Sequence, residues 1–191
     1  MTLIIGTRCK DGWLVISDKR NKIQEQEDET PIYEDNLEKV VIHNKCLIYN
    51  HGYNQIGRKY WKNRYQELTA DISNPIYGEV RDEMKDKPFK KAYYTFINRK
   101  GIEEISVEVD SGVHYNKKIR KEDKIVSGDG KIYVDFSLIK DPKNRSCFLV
   151  KGDLEFIFKK AHDKMKKKGG EIFSKDYEIC SLLFKSGTSQ I

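Results

Sequence analysis

Thr2 is the residue of this sequence best placed to act as a nucleophile. A threonine hydroxyl is a weak nucleophile at neutral pH and needs a base that accepts its proton. When a threonine is the first residue of a mature chain, its free α-amine can be that base. Removal of Met1 would make Thr2 the first residue, and we expect processing to be limited to this cleavage. Thr2 therefore suggests a hydrolase, provided that other residues build a site around it.

Three further residues could complete such a site. A hydroxyl nucleophile needs nearby charges that assist proton transfer and backbone N–H groups that stabilise the oxyanion. Asp18 ends an apolar run, Lys39 begins one, and Gly52 follows another at a place where turn amides can face an anion. An isolated aspartate or lysine at a strand end is usually a solvated surface residue. The joint arrangement, rather than any single residue, therefore carries the hypothesis.

Two predicted β-hairpins would bring these residues together. The pair Asp11-Gly12 is a strong turn signal between the apolar runs Leu3–Cys9 and Trp13–Ser17. A second hairpin joins the strand Lys39–Ile42 to the strand Cys46–Tyr49. Since a tight hairpin returns the chain to its starting end, the aspartate should lie close to the N-terminus.

The remainder of the chain predicts helices outside antiparallel sheets. Apolar residues at three-to-four-residue spacing predict a helix that ends near Ile72, and Pro75 would begin a second helix that reaches about Lys85. The later predicted elements are a hairpin of Ala92–Asn98 and Glu103–Val109, a strand ending at Val126, a helix starting near Gly130, a helix of Leu154–Lys168 capped by Asp153, and a strand of Tyr177–Phe184. The lack of regular strand–helix alternation favours an α+β fold, a four-layer αββα sandwich of antiparallel sheets in a single domain spanning 1–191.

Composition and charge exclude several classes of protein. The 191 residues suffice for one domain with its own core, and no apolar run reaches the roughly 18 residues that a membrane span needs. The 36 basic residues are offset by 30 acidic ones, and the basic stretches are not interleaved with aromatic residues. We therefore expect a cytoplasmic protein that binds neither nucleic acid nor membranes.

The cysteines and histidines lack the spacing of a metal site. The four cysteines contain no CxxC pair and are expected to be reduced core residues. His51 adjoins the proposed oxyanion turn, but a single histidine at a strand end is more often structural. We expect no catalytic metal and no cofactor.

The N-terminal segments resemble those of proteasome β subunits and the related bacterial proteasome-like peptidases, which are N-terminal nucleophile (Ntn) hydrolases. These proteins begin with a threonine, followed by a glycine turn, an Asp-x-Arg sequence, a strand led by lysine, and a glycine turn before the first helix. The matching segments are Thr2–Gly6, Lys10–Gly12, Val15–Arg20, Glu38–Ile42 and Asn50–Gly52. The match covers the first 60 residues well, and the order of elements then continues in the family's manner.

The resemblance implies a role for each matching residue. Thr2 would be the nucleophile, and Asp18 and Lys39 would be the charged pair that activates it. Arg20 would support this pair, and the amide of Gly52 would be the oxyanion donor.

The resemblance also implies supporting residues and a substrate pocket. Ser127 would lie near the threonine amine, with Asp129 as the competing alignment, and Glu171 and Ser174 take the place of the family's Asp-x-x-Ser pair. The aspartate-to-glutamate change adds one methylene to this network. The pocket would be formed by Asn21, Leu37, Asn50, Asn54 and Arg58. These mostly polar side chains should disfavour a large apolar residue before the scissile bond.

The implied activity is that of a threonine peptidase, which cleaves peptide bonds through an acyl-enzyme ester on Thr2. The family likeness also implies a homo-oligomeric ring or spiral that admits peptides or unfolded proteins, with an ATP-dependent unfoldase as a candidate partner. The alternatives are an enzyme that transfers the acyl group to an amine, as a ligase or transpeptidase does, and a non-catalytic assembly subunit that keeps Met1. The acidic segment 21–36 is expected to be an exposed loop, or a gate or subunit contact that favours basic substrates.

Overall fold

The structure of the protein, a computed structural model, describes residues 2–22, 33–34, 38–52, 65–86, 90–116, 123–170 and 173–184. The strands in these residues are β1 (Ile4–Cys9), β2 (Gly12–Asp18), β3 (Asn21–Lys22), β4 (Tyr33–Glu34), β5 (Val40–His43), β6 (Cys46–Gly52), β7 (Lys91–Asn98), β8 (Gly101–Glu108), β9 (Gly112–Asn116), β10 (Lys124–Ser127) and β11 (Tyr177–Leu183). The α-helices are α1 (Pro75–Met84) and α2 (Cys147–Lys167). Among the described residues, neither helix has the length and apolarity that a bilayer crossing requires.

The first predicted hairpin is confirmed and forms the centre of a four-stranded antiparallel sheet. The strand order is β10-β1-β2-β11, and Lys10 and Asp11 form the turn between β1 and β2. In this register Ile4 lies opposite Ser17. Every residue of β2 is buried, because the sheet is covered on both of its faces.

The second predicted hairpin is also confirmed and begins a five-stranded antiparallel sheet. Its strand order is β5-β6-β7-β8-β9, which includes the predicted hairpin of β7 and β8. The turn between β5 and β6 places Asn44 and Lys45 at positive φ angles of 48° and 59°. The sequence did not indicate β9, because its five residues include few apolar side chains.

The two large sheets pack face to face, and in the described part of the chain each has one α-helix on its outer side. Trp13 of the four-stranded sheet meets Leu47 and Ile97 of the five-stranded sheet in the central core. On the outer sides, Leu154 of α2 packs against the four-stranded sheet, and Val80 of α1 packs against the five-stranded sheet. The predicted α+β class, with antiparallel sheets between helical layers, is therefore confirmed.

In the second half of the chain one helix prediction was wrong, and a second helix is confirmed with an earlier start than predicted. The segment after Gly130 forms short 3-10 helices at Asp129–Tyr133, Phe136–Leu138 and Pro142–Asn144 instead of an α-helix. The carboxylate of Asp135 accepts the N–H of Ser137 at 3.0 Å, which favours a local turn over a continuing helix.

The second helix is α2, which begins at Cys147 rather than Leu154. Its N-cap is Ser146, whose hydroxyl accepts the N–H of Leu149 at 3.4 Å. Asp153, the predicted cap, lies within the helix and accepts a hydrogen bond from Arg145 at 2.6 Å.

Two further predictions fall partly on residues that the structure does not describe. In the segment 21–36, β3 and β4 pair with each other, so the described part is a short ladder rather than a loop. The helix predicted to end near Ile72 falls mostly on residues 53–64, outside the described ranges. Its described end has a 3-10 turn at Tyr65–Glu67 and is not helical beyond it.

The packing of β2 against β11 requires a glycine at position 12. A Cβ at Gly12 would overlap the carbonyl oxygen of Leu182, whereas a Cβ at Gly152 in α2 would meet nothing within 4 Å. We expect Gly12→Ala to lower the free energy of unfolding by about 1–3 kcal/mol through overpacking. Gly152→Ala, the matched control, should raise it by about 0.5–1 kcal/mol through helix propensity. Urea unfolding of both variants measures the difference, and equal effects would contradict this packing.

Candidate active site

Thr2, Asp18 and Lys39 meet in the structure, although 37 positions of sequence separate the threonine from the lysine. The ammonium nitrogen Nζ of Lys39 lies 3.1 Å from Oγ1 of Thr2 and 2.9 Å from Oδ1 of Asp18. The three residues are 2 %, 0 % and 1 % exposed, in chain order. Lys39 therefore connects the candidate hydroxyl to a buried carboxylate.

The first hairpin positions Asp18 beside the N-terminal segment. The N–H of Asp18 donates to the carbonyl of Leu3 at 3.1 Å, and the N–H of Leu3 donates to Oδ1 of Asp18 at 2.7 Å. Oδ2 accepts the backbone N–H of Arg20 at 3.0 Å. Together with the ammonium of Lys39, these donors satisfy a carboxylate that would otherwise be costly to bury.

This arrangement can lower the energy of a threonine alkoxide. An ammonium that donates to Oγ1 stabilises the negative charge that develops when the hydroxyl loses its proton, and it does so best where water is excluded. Asp18 holds the ammonium in place at that oxygen. The trio can therefore activate a hydroxyl nucleophile once a base accepts the proton.

A glycine turn after β10 fixes the backbone of Thr2. The N–H of Gly130 donates to the carbonyl oxygen of Thr2 at 3.2 Å. Gly128 has a φ of +87°, and a Cβ at this position would overlap the same carbonyl oxygen. Glycine alone combines this φ with so close an approach. Sequence reasoning noted this turn for its serine and missed that its glycines contact Thr2.

The serines predicted to support Thr2 are both buried. The hydroxyl of Ser127 lies 3.0 Å from the hydroxyl of Tyr49, and this contact joins the two large sheets. The hydroxyl of Ser174 donates to the carbonyl of Asp176 at 2.7 Å. Asp129, the competing candidate in the glycine turn, is exposed, so burial favours Ser127 as the candidate. The catalytic roles of the two serines stay predictions.

Gly52 lies at the exposed end of β6 with a φ of +91°. A Cβ at this position would lie 2.6 Å from the carbonyl oxygen of Lys91 on the neighbouring strand. The backbone thus requires glycine here on steric grounds alone. The role of its amide as an oxyanion donor stays a prediction.

Asn50 is the predicted pocket residue that the structure describes fully. It is buried on β6, and its amide nitrogen Nδ2 has no hydrogen-bond partner within the described part of the chain. A buried donor without a partner costs about 1–3 kcal/mol, so a ligand carbonyl would be a favourable partner. The side chain of Asn21 lies outside the described structure, as do the residues Leu37, Asn54, Arg58 and Glu171.

Sequence reasoning also missed Glu178, on the last strand. Its Oε1 accepts the backbone N–H groups of Lys39 at 2.6 Å and Val40 at 3.0 Å. Glu178 is the second residue of a strand that the sequence predicts, but no local pattern indicates its contact with the backbone at Lys39.

Comparison with known proteins gives matches in structure alone. No protein-family profile and no curated protein matches this chain. The crystal structure of eukaryotic HslV from Trypanosoma brucei has a TM-score of 0.50 at 12 % identity and covers 94 % of this chain and 98 % of that chain.

Two Anbu structures are also similar. The Anbu (Gly-1) mutant from Hyphomicrobium sp. strain MC1 has a TM-score of 0.54 at 8 % identity, covering 94 % of this chain and 80 % of that chain. Anbu, described as an ancestral β-subunit, from Yersinia bercovieri has a TM-score of 0.54 at 10 % identity, covering 94 % and 81 %. At these identities the likeness shows the fold, which is proteasome-like.

Beside the site, His51 is expected to make stability depend on pH. Its ring stacks on Tyr93 with centroids 4.7 Å apart, and burial lowers its pKa from 6.5 to about 4. The folded protein therefore favours the neutral imidazole, and stability that is present above pH 6.5 is lost as the pH falls towards 4. The loss should be at most about 3 kcal/mol.

Urea unfolding at pH 7 and pH 4.5 measures this contribution. His51→Gln should show a smaller difference between the two pH values than the wild type does. His114→Gln changes an exposed histidine and should leave the difference unaltered. An unchanged difference in His51→Gln would contradict the assignment.

Proposed function

We propose that this protein is a threonine peptidase whose nucleophile is the hydroxyl of Thr2, exposed by cleavage of the Met1–Thr2 bond. The observation that carries the proposal is the position of Lys39 Nζ between Thr2 Oγ1 and Asp18 Oδ1. A buried ammonium held against a hydroxyl by a satisfied carboxylate suits nucleophile activation. The proteasome-like fold agrees with this assignment.

The proposed reaction begins when the α-amine of Thr2 accepts the proton of Oγ1. Oγ1 then attacks the substrate carbonyl carbon, while the ammonium of Lys39 stabilises its developing charge. The N–H of Gly52 would face the resulting oxyanion. Collapse of the tetrahedral intermediate releases the amine product, which takes the proton from the α-ammonium. Water then attacks the ester, returns a proton to Thr2 and releases the acid product.

The proposal extends to substrates and assembly. By its likeness to proteasome β subunits, the chain would act on peptides or unfolded proteins within a homo-oligomer, in the cytoplasm, with an ATP-dependent unfoldase as a candidate partner. The buried amide of Asn50 lies two residues before Gly52 and would favour a polar side chain before the scissile bond.

Intact mass spectrometry with a peptide epoxyketone tests the nucleophile. This reagent reacts with a hydroxyl and a neighbouring free amine, so the wild type should lose Met1 and gain one adduct. Thr2→Ala should gain none. Thr7→Ala, which changes another buried threonine of the N-terminal segment, should still be labelled. Retention of Met1, or equal labelling of Thr2→Ala, would contradict the proposal.

Substitution of the ion pair separates chemistry from stability. Lys39→Met leaves the buried carboxylate of Asp18 without its cation, so the free energy of unfolding should fall by about 3–5 kcal/mol. Epoxyketone labelling should slow by about 10²–10³-fold, because the donor to Oγ1 is lost.

The double variant Lys39→Met with Asp18→Asn provides the control. It removes the uncompensated charge, so part of the stability measured by urea unfolding should return, while labelling should stay slow. The recovery is partial because the introduced amide can accept only one of the two backbone N–H groups that Asp18 accepts from Leu3 and Arg20. Recovery of labelling in the double variant would show that the lysine is not required.

A further inference from the structure

A carboxylate on the last strand holds the backbone from which the Lys39 side chain extends. Glu178 on β11 lies opposite Ser17 of β2, one residue pair away from Asp18. Its Oε1 accepts the N–H groups of Lys39 at 2.6 Å and Val40 at 3.0 Å. These two bonds connect the four-stranded sheet to the start of the five-stranded sheet, directly beside the candidate trio.

Glu178 supplies a hydrogen-bond acceptor to the outer edge of β5. β5 is first in the order of its sheet, so its outer side has no neighbouring strand among the described residues. The N–H and C=O groups of such an edge need other partners. Cys180, two residues after Glu178 on the same face of β11, places its sulfur 3.8 Å from the carbonyl oxygen of Val40. β11 therefore contacts both backbone polar groups of Val40.

The charge of Glu178 is not favoured by its surroundings. Burial raises the pKa of its carboxyl, although the two backbone N–H donors act in the opposite direction. What the backbone requires is an acceptor oxygen, and a glutamine amide also provides one. Glutamate and glutamine share the acceptor oxygen and differ in charge, so substitution by glutamine tests the geometric role of Glu178 apart from its charge.

We propose that Glu178 is a positioning residue for Lys39. By fixing the backbone of residues 39–40, it keeps Nζ within hydrogen-bond distance of both Thr2 Oγ1 and Asp18 Oδ1. The lysine stem has a limited length, so the position of its Cα limits which oxygens Nζ can reach at the same time. A displacement of about 1 Å can slow a reaction by about 10²-fold. This inference rests on the proposed role of Thr2 as the nucleophile.

Rates of epoxyketone labelling test the role of the acceptor. Glu178→Ala removes it and should slow labelling of Thr2 by about 10- to 100-fold. Glu178→Gln retains an acceptor oxygen and should label within about threefold of the wild-type rate. Glu178→Asp withdraws the carboxylate by one methylene and should be intermediate, which keeps the test usable if the alanine variant does not fold. Glu108→Ala, which breaks a partly exposed ion pair with Lys91, is the matched control and should label normally.

The pH dependence of labelling distinguishes positioning from general instability. An ammonium near the α-amine of Thr2 favours the neutral amine and lowers its pKa. If Lys39 moves away in Glu178→Ala, the acidic limb of the rate profile should shift to higher pH. In Glu178→Gln the limb should stay in place. A variant that is only less stable would lose amplitude without moving the limb.

The outcomes separate this inference from the proposed function. A wild-type rate and an unshifted limb in Glu178→Ala would overturn the inference and leave the nucleophile in place. A wild type that takes no label would overturn the proposed function. Hydrogen exchange of the Val40 amide then tests the contact between Glu178 and the backbone without any labelling reaction. Faster exchange in Glu178→Ala than in Glu178→Gln would support this contact, and equal exchange would overturn it.

Discussion

The ion pair between Asp18 and Lys39 is the interaction on which the candidate site depends. Asp18 ends β2 of one sheet and Lys39 immediately precedes β5 of the other, and both side chains are fully buried with 2.9 Å between Nζ and Oδ1. A buried pair is tolerated only when its remaining hydrogen-bonding groups are satisfied. The N–H groups of Leu3 and Arg20 satisfy the carboxylate, and Thr2 accepts from the ammonium. The packing of the sheets and the position of the candidate nucleophile are therefore coupled through this one contact.

The register of the first hairpin is the condition for that contact. Since side chains alternate between the faces of a strand, a slip of one residue would turn Asp18 away from Lys39. The turn that sets the register is itself anchored, because the carboxylate of Asp11 accepts the N–H of Cys147 at 2.7 Å. The start of α2 thus holds the end of the hairpin opposite to the site. The start of this helix therefore contributes to the geometry of the candidate trio from the other end of the hairpin.

Local sequence patterns predict the contacts within a hairpin. They do not predict contacts between segments that are far apart in the chain. The turn residues and alternating apolar runs were enough to place the hairpins, and hence Asp18 near the N-terminus, whereas the pairing with Lys39 came from a family resemblance. The start of α2 was wrong because Ser146 and Asp153 are both residue types that cap helices. The contact of Glu178 with the backbone at Lys39 spans 139 positions between two sheets, so no local pattern encodes it.

The distribution of buried charge bears on whether such a chain is an enzyme or an assembly subunit. Replacing a buried ion pair by apolar residues often leaves stability unchanged or raises it by about 1–4 kcal/mol, so a fold kept for assembly alone does not need one. Here Lys39 of the pair donates to the hydroxyl of Thr2, and a third ionisable side chain, Glu178, lies partly buried beside the pair with a raised pKa. Ionisable groups that are clustered out of water beside a nucleophilic side chain are typical of catalytic sites. The arrangement therefore agrees with the proposed enzymatic function better than with the alternative of an assembly subunit.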